Sequence, residues 1–433
     1  MERAELSSLL GRRVTAPPRG PVCIADGAPE KFMTAFAEAV AGDADIFLCD
    51  PNWSAKERAE VDRLLHSKIE NRSAVASAKT EPKTKITRGW LMIPTGGTSG
   101  QIRFARHDSA TIAAAVRGFA EHFGVRQINA AGVLPLHHVS GFMAWMRCAM
   151  TGGSYRPLSW KELESGGLPL LPAQADGWFL SLVPTQLERL MRRPLAVDWL
   201  RGFRAVLLGG AAAWPDLIDR ALTARLPLAP SYGMTEAAAM VAATRPQEFL
   251  AGVRGCGTAL PHAQVTIRAD GAVQVAGESV FRGYFPEWRS EREMVTADAG
   301  WIDEHGVLTI TGRRDAVVIT GGEKVQPVEV EAVLRDTGEF PEVVVLGVPD
   351  PEWGQLLVAA YPMANLPQLK KVAKAMSRQL APPKRPKIFV PLETWPTNEQ
   401  GKVNRARVTS LVLAAIQSGS ARAPTHSFRR DQS

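Results

Sequence analysis

The chain has 433 residues, more than one hydrophobic core usually serves, so two or three domains are expected. Hydrophobic residues make up 45% and charged residues 22%, which excludes a disordered polypeptide. The formal charge of +7 suits anionic partners, but no helix-length basic stripe or basic–aromatic alternation accompanies it, so nucleic acid is not expected.

The opening MERAELSSLLGRR is charged and has no apolar centre, so it does not read as a secretory signal. Residues 30–41 (EKFMTAFAEAVA) space their apolar side chains as a helix does, Ile46–Asp50 reads as a short buried strand, and SAKERAEVDRLL as a second helix. This alternation predicts a parallel α/β sheet, although residues 1–85 carry no recognisable motif. Gly89–Thr95 (GWLMIPT) is a strand entering a Gly-rich loop, and DSATIAAAVRGFAEHFG is a helix capped by Asp108 or Ser109. AAGVLPL, GWFLSLVP and FRAVLLGG read as further strands, the last two followed by helices PTQLERLMRR and AWPDLIDRALTARL. After about Leu250 the texture changes to alternating apolar residues with Asp-Gly and His-Gly turns, the signature of antiparallel hairpins. A second α+β unit follows, with helices VEVEAVLRDTG and LPQLKKVAKAMSRQL around strands EVVVLGVPD and LLVAAYPM. The end, SGSARAPTHSFRRDQS, is polar and unpatterned and is expected to be disordered. Cys23, Cys49, Cys148 and Cys256 form no CxxC pair, so free thiols in a reduced compartment are expected. The apolar stretches are short or broken by Gly, Pro or Arg, so no membrane span is expected and the location reads as cytoplasmic.

The segment Thr95–Arg103, TGGTSGQIR, carries the most chemistry. Gly96, Gly97 and Gly100 let backbone N–H groups converge into an anion nest. Thr95, Thr98 and Ser99 add hydroxyl donors, and Arg103 adds a fixed positive charge. The segment is read as lying between a strand and a helix, where phosphate loops sit. GxxxxGK followed by Ser or Thr does not fit it. By itself such a segment is equally an ordinary flexible turn. It resembles, however, the TSGTTGxPK signature of the acyl-adenylate-forming superfamily. Gly96 stands where Ser is usual, Ile102 where Pro is usual, and Arg103 where Lys is usual.

The remaining motifs of that superfamily follow in order. PLHHVSG (Pro135–Gly141) resembles PLFHxxG, which implies that His138, with Ser140 and Gly141, lines the acyl pocket; without the resemblance, two adjacent histidines read as a structural pair. Gly209, Gly210, Ala211 and Ala212 resemble the glycine turn that walls the adenine and acyl pockets, and they also fit a plain strand-to-helix turn. SYGMTE (Ser231–Glu236) resembles YGxTE. The resemblance implies that Tyr232 and Gly233 meet adenine, that Thr235 contacts the α-phosphate, and that Glu236 holds Mg2+. Thr296–Asp315 resembles TGDxGxxDxxGxxxxxGRxD, which implies that Asp298 and Arg313 reach the ribose and that Asp315 is the hinge; Asp303 and Glu304 read as turn carboxylates. GGEKVQPVEVE (Gly321–Glu331) resembles the opening of the family's small domain. PTNEQGKVNR carries Lys402 at the position of the lysine that contacts the substrate carboxylate and the α-phosphate.

The resemblance implies an α/β fold. A large adenylate-forming domain with α/β subdomains and a small β-rich subdomain would span residues 1–314, and a small mobile α+β domain residues 315–417, before a tail at 418–433. It implies an ATP-dependent acyl–CoA ligase that uses Mg2+, with ATP, CoA and a carboxylic acid as substrates, and it is compatible with a homodimer. Other aryl– or acyl–CoA ligases and adenylation enzymes share these motifs, and a non-catalytic AMP- or CoA-binding module is the alternative outside enzymes. PLHHVSG, SLVPTQLERL, AVLLGGAA and GGEKVQPVEVE most resemble the o-succinylbenzoate–CoA ligases of menaquinone biosynthesis, which likewise place the phosphate segment early, near residue 95.

Overall fold

The computed structural model describes residues 2–11, 20–75, 89–96, 102–173, 177–320, 323–351, 353–397 and 403–418. Two compact units divide the chain. The first takes residues 1–210, 221–296 and 302–309, the second residues 211–220, 297–301 and 310–433.

In the first unit, β1 (Val22–Ile24), β2 (Ile46–Leu48) and β3 (Leu91–Gly96) pair in parallel. The Pro29–Val40 helix crosses between β1 and β2 and buries Phe32, Phe36 and Val40, spaced four apart on one face. β4 (Ile102–His107) then runs antiparallel to β3. This corrects the sequence reading. The Gly-rich segment joins two strands rather than a strand and a helix, with Thr95 opposite Arg103 and Gly96 opposite Ile102. Ile102 and Phe104 favour extended backbone, and the Phe104 ring packs edge-on against Phe47 at 5.1 Å. Helical periodicity begins only after Asp108, whose carboxylate accepts the Thr111 N–H at 2.9 Å and so caps the Ser109–Phe123 helix. Of the two candidate caps, Asp108 is the one used.

A seven-stranded sheet forms the centre of this unit, in the order β11–β10–β9–β8–β7–β5–β6. Its members are β5 (Ala130–Gly132), β6 (Tyr155–Pro157), β7 (Phe179–Leu182), β8 (Ala205–Leu208), β9 (Leu228–Met234), β10 (Ala239–Ala243) and β11 (Thr258–Ala259). β5 to β9 pair in parallel, and β10 and β11 add antiparallel pairings. The wholly buried run of β8 is what a strand covered on both faces requires.

A second correction concerns AAGVLPL. The strand stops at Gly132, and His138 caps the Val139–Thr151 helix. His138, Ser140 and Gly141 therefore open a helix instead of ending a strand. That helix hides from a periodicity search because Val139, Phe142, Met143, Trp145 and Met146 are buried around much of its circumference. Phe142 and Trp145 meet Phe36 edge-on at 5.0 and 5.4 Å in the main core.

The expected change to antiparallel structure follows. β12 (Ala263–Ile267) and β13 (Ala272–Gly277) form a hairpin turned at Gly271, where φ is +79°. They share a four-stranded sheet with β14 (Glu293–Ile302) and β15 (Leu308–Arg313).

The second unit contains β16 (Val318–Thr320), β17 (Glu323–Val325), β18 (Val344–Asp350), β19 (Gly354–Pro362) and β20 (Ile388–Leu392). Alternation along β18 and β19 builds two cores. Val343, Val345, Leu357, Ala359 and Tyr361 pack with Val330 and Leu334 of the Pro327–Asp336 helix and Val372 and Met376 of the Leu369–Gln379 helix. Val344, Leu346, Val348, Val358 and Ala360 pack with Val408 and Val412 of the Arg405–Gln417 helix. The tail expected to be disordered lies, beyond Ser418, outside the described residues. None of the four cysteines forms a disulfide. Among the described residues no helix is long and apolar enough to cross a membrane.

Candidate active site

β9 carries Ser231, Tyr232 and Gly233 into a tight turn, Thr235–Ala237. Gly233 is dictated by its neighbour strand. A Cβ there would meet the Ala239 carbonyl oxygen at 1.9 Å, so no larger residue fits.

Three groups hold the turn. His107 Nε2 lies 2.8 Å from the Thr235 carbonyl, and Nδ1 lies 3.0 Å from Thr111 Oγ1. A carbonyl only accepts, so Nε2 carries the proton. Burial pulls the His107 imidazole down to about 4, which keeps it neutral near pH 7. The Phe281 N–H donates to the Glu236 carbonyl at 2.8 Å. The Tyr284 hydroxyl donates to Glu236 Oε1 at 2.6 Å. Burial, and then the Glu236 charge, push the Tyr284 phenol up, so it stays a donor.

Tyr284 is fixed by the strand it follows. Arg106 N donates to Gly283 O at 2.9 Å, Arg282 N to Arg106 O at 2.7 Å and Phe285 N to Phe104 O at 2.8 Å, so residues 282–285 run beside β4. Arg282 Nε donates to Asp108 Oδ2 at 2.8 Å in a buried ion pair. The helix cap and the Tyr284 segment thus share one carboxylate. Across β4 the Arg103 guanidinium lies 4.2 Å from the Tyr284 ring centre. Cation, aromatic ring and carboxylate stand in series: Arg103, Tyr284, Glu236. Thr95, opposite Arg103, is buried, and its hydroxyl has no hydrogen-bond partner among the described residues. Gly97, Thr98, Ser99 and Gly100 lie outside the described residues.

The other predicted positions fall as follows. Gly209, Gly210 and Ala211 follow β8, and Ser231 Oγ donates to the Leu208 carbonyl at 3.0 Å. The Tyr232 ring is buried, and its hydroxyl donates to Thr296 Oγ1 at 3.3 Å. Asp298 lies two residues further along β14. The Arg313 guanidinium stands 3.9 Å from Asp298 Oδ1 and donates through Nε to Asp315 Oδ1 at 2.7 Å, which brings Asp298, Arg313 and Asp315 together. Lys402 lies outside the described residues, immediately before Val403, which bridges to Thr397.

At the Val139–Thr151 helix, Gly141 is set by close approach. A Cβ would meet the Pro135 oxygen at 2.3 Å and the Leu134 oxygen at 2.5 Å. Seven residues after Ser140, on the same helix face, is Arg147. It is buried, its guanidinium lies 4.1 Å from the Phe119 ring centre, and its Nε has no hydrogen-bond partner among the described residues. No carboxylate pairs with it among the described residues. A buried cation left this way is costly unless an anion joins it.

Sequence reading missed Tyr284, His107, Arg282 and Arg147. RGYFPEW places aromatic rings among charges next to a proline, which was a usable signal. The buried histidine and arginine sit in otherwise apolar or strand-like runs and gave none. The Thr235 hydroxyl and the Glu236 carboxylate are hard oxygen donors, the kind Mg2+ takes, so these residues fit that ion.

The parallel α/β core, the Gly-rich segment of the β3–β4 hairpin and the Thr-Glu turn are what the resemblance to the adenylate-forming superfamily implies, and family comparison agrees. Residues 32–285 match the AMP-binding enzyme family and residues 329–402 match the AMP-binding enzyme C-terminal domain. The chain belongs to the AMP-binding enzyme family. It is 29% identical over 285 residues to 2-succinylbenzoate–CoA ligase of Oceanobacillus iheyensis, an alignment that takes in 63% of this chain and 59% of that enzyme. It is 27% identical over 328 residues to the same ligase of Staphylococcus epidermidis, covering 73% of this chain and 68% of that one. Among solved structures, o-succinylbenzoate CoA synthetase from Bacillus subtilis in complex with its acyl-adenylate intermediate matches with a TM-score of 0.73 at 20% identity, covering 94% of this chain and 91% of that one.

Proposed function

We propose that this chain is an AMP-forming acid–CoA ligase and that its acid is o-succinylbenzoate, for a step in menaquinone synthesis in the cytoplasm. The observation that carries the adenylation chemistry is the Arg103–Tyr284–Glu236 series beside Thr235. In that reaction a substrate carboxylate oxygen attacks the α-phosphorus of ATP, and the bond to pyrophosphate breaks. The protein's share is positioning and charge neutralisation. Arg103 and the hydroxyls of Thr95, Thr98 and Ser99 would hold the outgoing phosphates. Glu236 and Thr235 would hold Mg2+, which would supply further positive charge at the phosphates. Tyr284 keeps the Glu236 carboxylate in one orientation. Tyr232, Gly209, Gly210, Ala211 and Asp298 with Arg313 take the adenosine, and Lys402 the substrate carboxylate and α-phosphate. Asp315 is the hinge that opens the small domain at 315–417. The CoA sulfur then attacks the acyl carbon, and AMP leaves.

The names of the curated relatives support the acid, and Arg147 gives it a physical reason. The compound has a second carboxylate, and Arg147 is a buried guanidinium with no carboxylate partner among the described residues, on the helix that carries Ser140. The test is a panel of carboxylic acids with ATP and CoA, read by mass spectrometry of the thioester. o-Succinylbenzoate should exceed benzoate and octanoate in kcat/KM by orders of magnitude, since a site built for a polar group rejects analogues lacking it. Arg147→Gln should cut kcat/KM for o-succinylbenzoate at least a hundredfold and leave the KM for ATP unchanged. Equal use of benzoate would refute the substrate and leave the ligase reading standing.

A further inference from the structure

We propose that Asp50, His137 and His138 form a site for a zinc-class divalent metal ion, separate from the Mg2+ site at Glu236. The three residues come from two places in the fold. Asp50 lies two residues past β2, and the histidines lie in the turn that leads from β5 into the Val139–Thr151 helix. In an extended strand consecutive side chains point apart. Here the His138 N–H bonds back to the Pro135 carbonyl at 3.1 Å, and the tight turn lets both rings lie together, centres 4.4 Å apart and planes at 48°.

One ligand atom from each residue lies within 4.8 Å of the others. His137 Nε2 stands 3.6 Å from Asp50 Oδ2. That is longer than a hydrogen bond, which runs to roughly 3.2 Å for nitrogen and oxygen. It is close to the separation of about 3.4 Å between two ligands on a tetrahedral ion with bonds near 2.1 Å. The His137–Asp50 pair needs a few tenths of an ångström of adjustment, and the His138 nitrogen, within 4.8 Å of both, would move in by rotation of its ring. The carboxylate is already aimed, because Asp50 Oδ1 accepts the Asn52 N–H at 2.8 Å and leaves Oδ2 toward His137. His137 is buried, so its ring has little freedom to turn away. Two imidazoles and one carboxylate suit Zn2+, Co2+ or Ni2+ and not Mg2+, which prefers oxygen alone. Three protein ligands leave a position open to water or a carboxylate. This site does not depend on the ligase reading.

The experiment uses the untagged full chain, stripped with chelator and titrated with cobalt(II) chloride in the presence of millimolar Mg2+. One equivalent should bind with the visible bands of a four- or five-coordinate ion, and Zn2+ should displace it. Asp50→Asn and His137→Gln should each weaken cobalt affinity at least tenfold. Asp50 is partly exposed, so Asp50→Asn tests the site even where His137→Gln fails to fold. Weak binding without those bands, or binding unchanged in Asp50→Asn, would overturn the proposal.

Discussion

Removing one oxygen, in Tyr284→Phe, leaves the ring beneath Arg103 but deletes the 2.6 Å hydrogen bond to Glu236. A hydrogen bond to a charged group contributes on the order of 1.5–3 kcal/mol. Turnover with ATP should fall about tenfold or more, with a raised Mg2+ requirement, while the melting temperature drops by only a few degrees. A Mg2+ titration of the rate checks this, and an unchanged Mg2+ dependence would reduce Tyr284 to packing. Arg103 makes the complementary case. Arg103→Ala should raise the KM for ATP more than that for the acid. Arg103→Lys keeps the charge but loses the planar face that lies on Tyr284, and should fall between. At this scale the sequence showed the residues with family counterparts. It did not show Tyr284 or His107, because what they do depends on a strand pairing between residues 104–106 and 282–285, far apart in the chain.

At the scale of elements, legibility followed periodicity. The amphipathic Pro29–Val40 helix and the alternating β18 and β19 were readable because each buries one face, or two faces in alternation. The Val139–Thr151 helix was not, because its apolar residues give no polar face to count against. β4 was missed because Arg103 and Arg106 interrupt its apolar residues, and the helix after it has the stronger signal. Gly141 ties that unread helix to the turn before it, and this gives an element-scale prediction. In Gly141→Ala the new Cβ meets two backbone oxygens at 2.3 and 2.5 Å, neither of which can swing aside as a side chain would. The helix start must shift away from Leu134–Pro135, at a cost of roughly 1–3 kcal/mol by analogy with overpacked cores. Urea denaturation should report that loss. The KM for the acid should rise while that for ATP holds, because the shifted turn carries His138 and Ser140.

Across the whole molecule, the histidines whose pKa is depressed are distributed unevenly. His107, His122 and His262 all belong to the first unit, whereas the described part of the second unit contains no histidine. Burial is the leading cause in each case and pulls all three down to about 4. Among the described residues, His262 Nδ1 and Nε2 and His122 Nε2 have no partner within hydrogen-bond distance, and the backbone acceptors near these rings, at Met240 and Ala243, offset the burial only in part. The unfolded chain titrates its histidines near 6.5. As pH falls through that value the unfolded state binds protons that the folded state refuses, so stability decreases with falling pH. The contribution is complete above about pH 6.5 and is lost progressively on the way down to about 4, by up to ~3 kcal/mol per histidine. Calorimetry between pH 7 and pH 4.5 should therefore show the transition of the first unit moving down by many degrees. The described part of the second unit, having no histidine, should make no such contribution. His107→Gln keeps a donor for the Thr235 carbonyl but does not titrate, so its melting temperature should depend less on pH than that of the parent. A parallel pH dependence in the variant would mean that His107 is protonated in the fold, and that the Thr235–Glu236 turn is held by a cation rather than by a neutral imidazole.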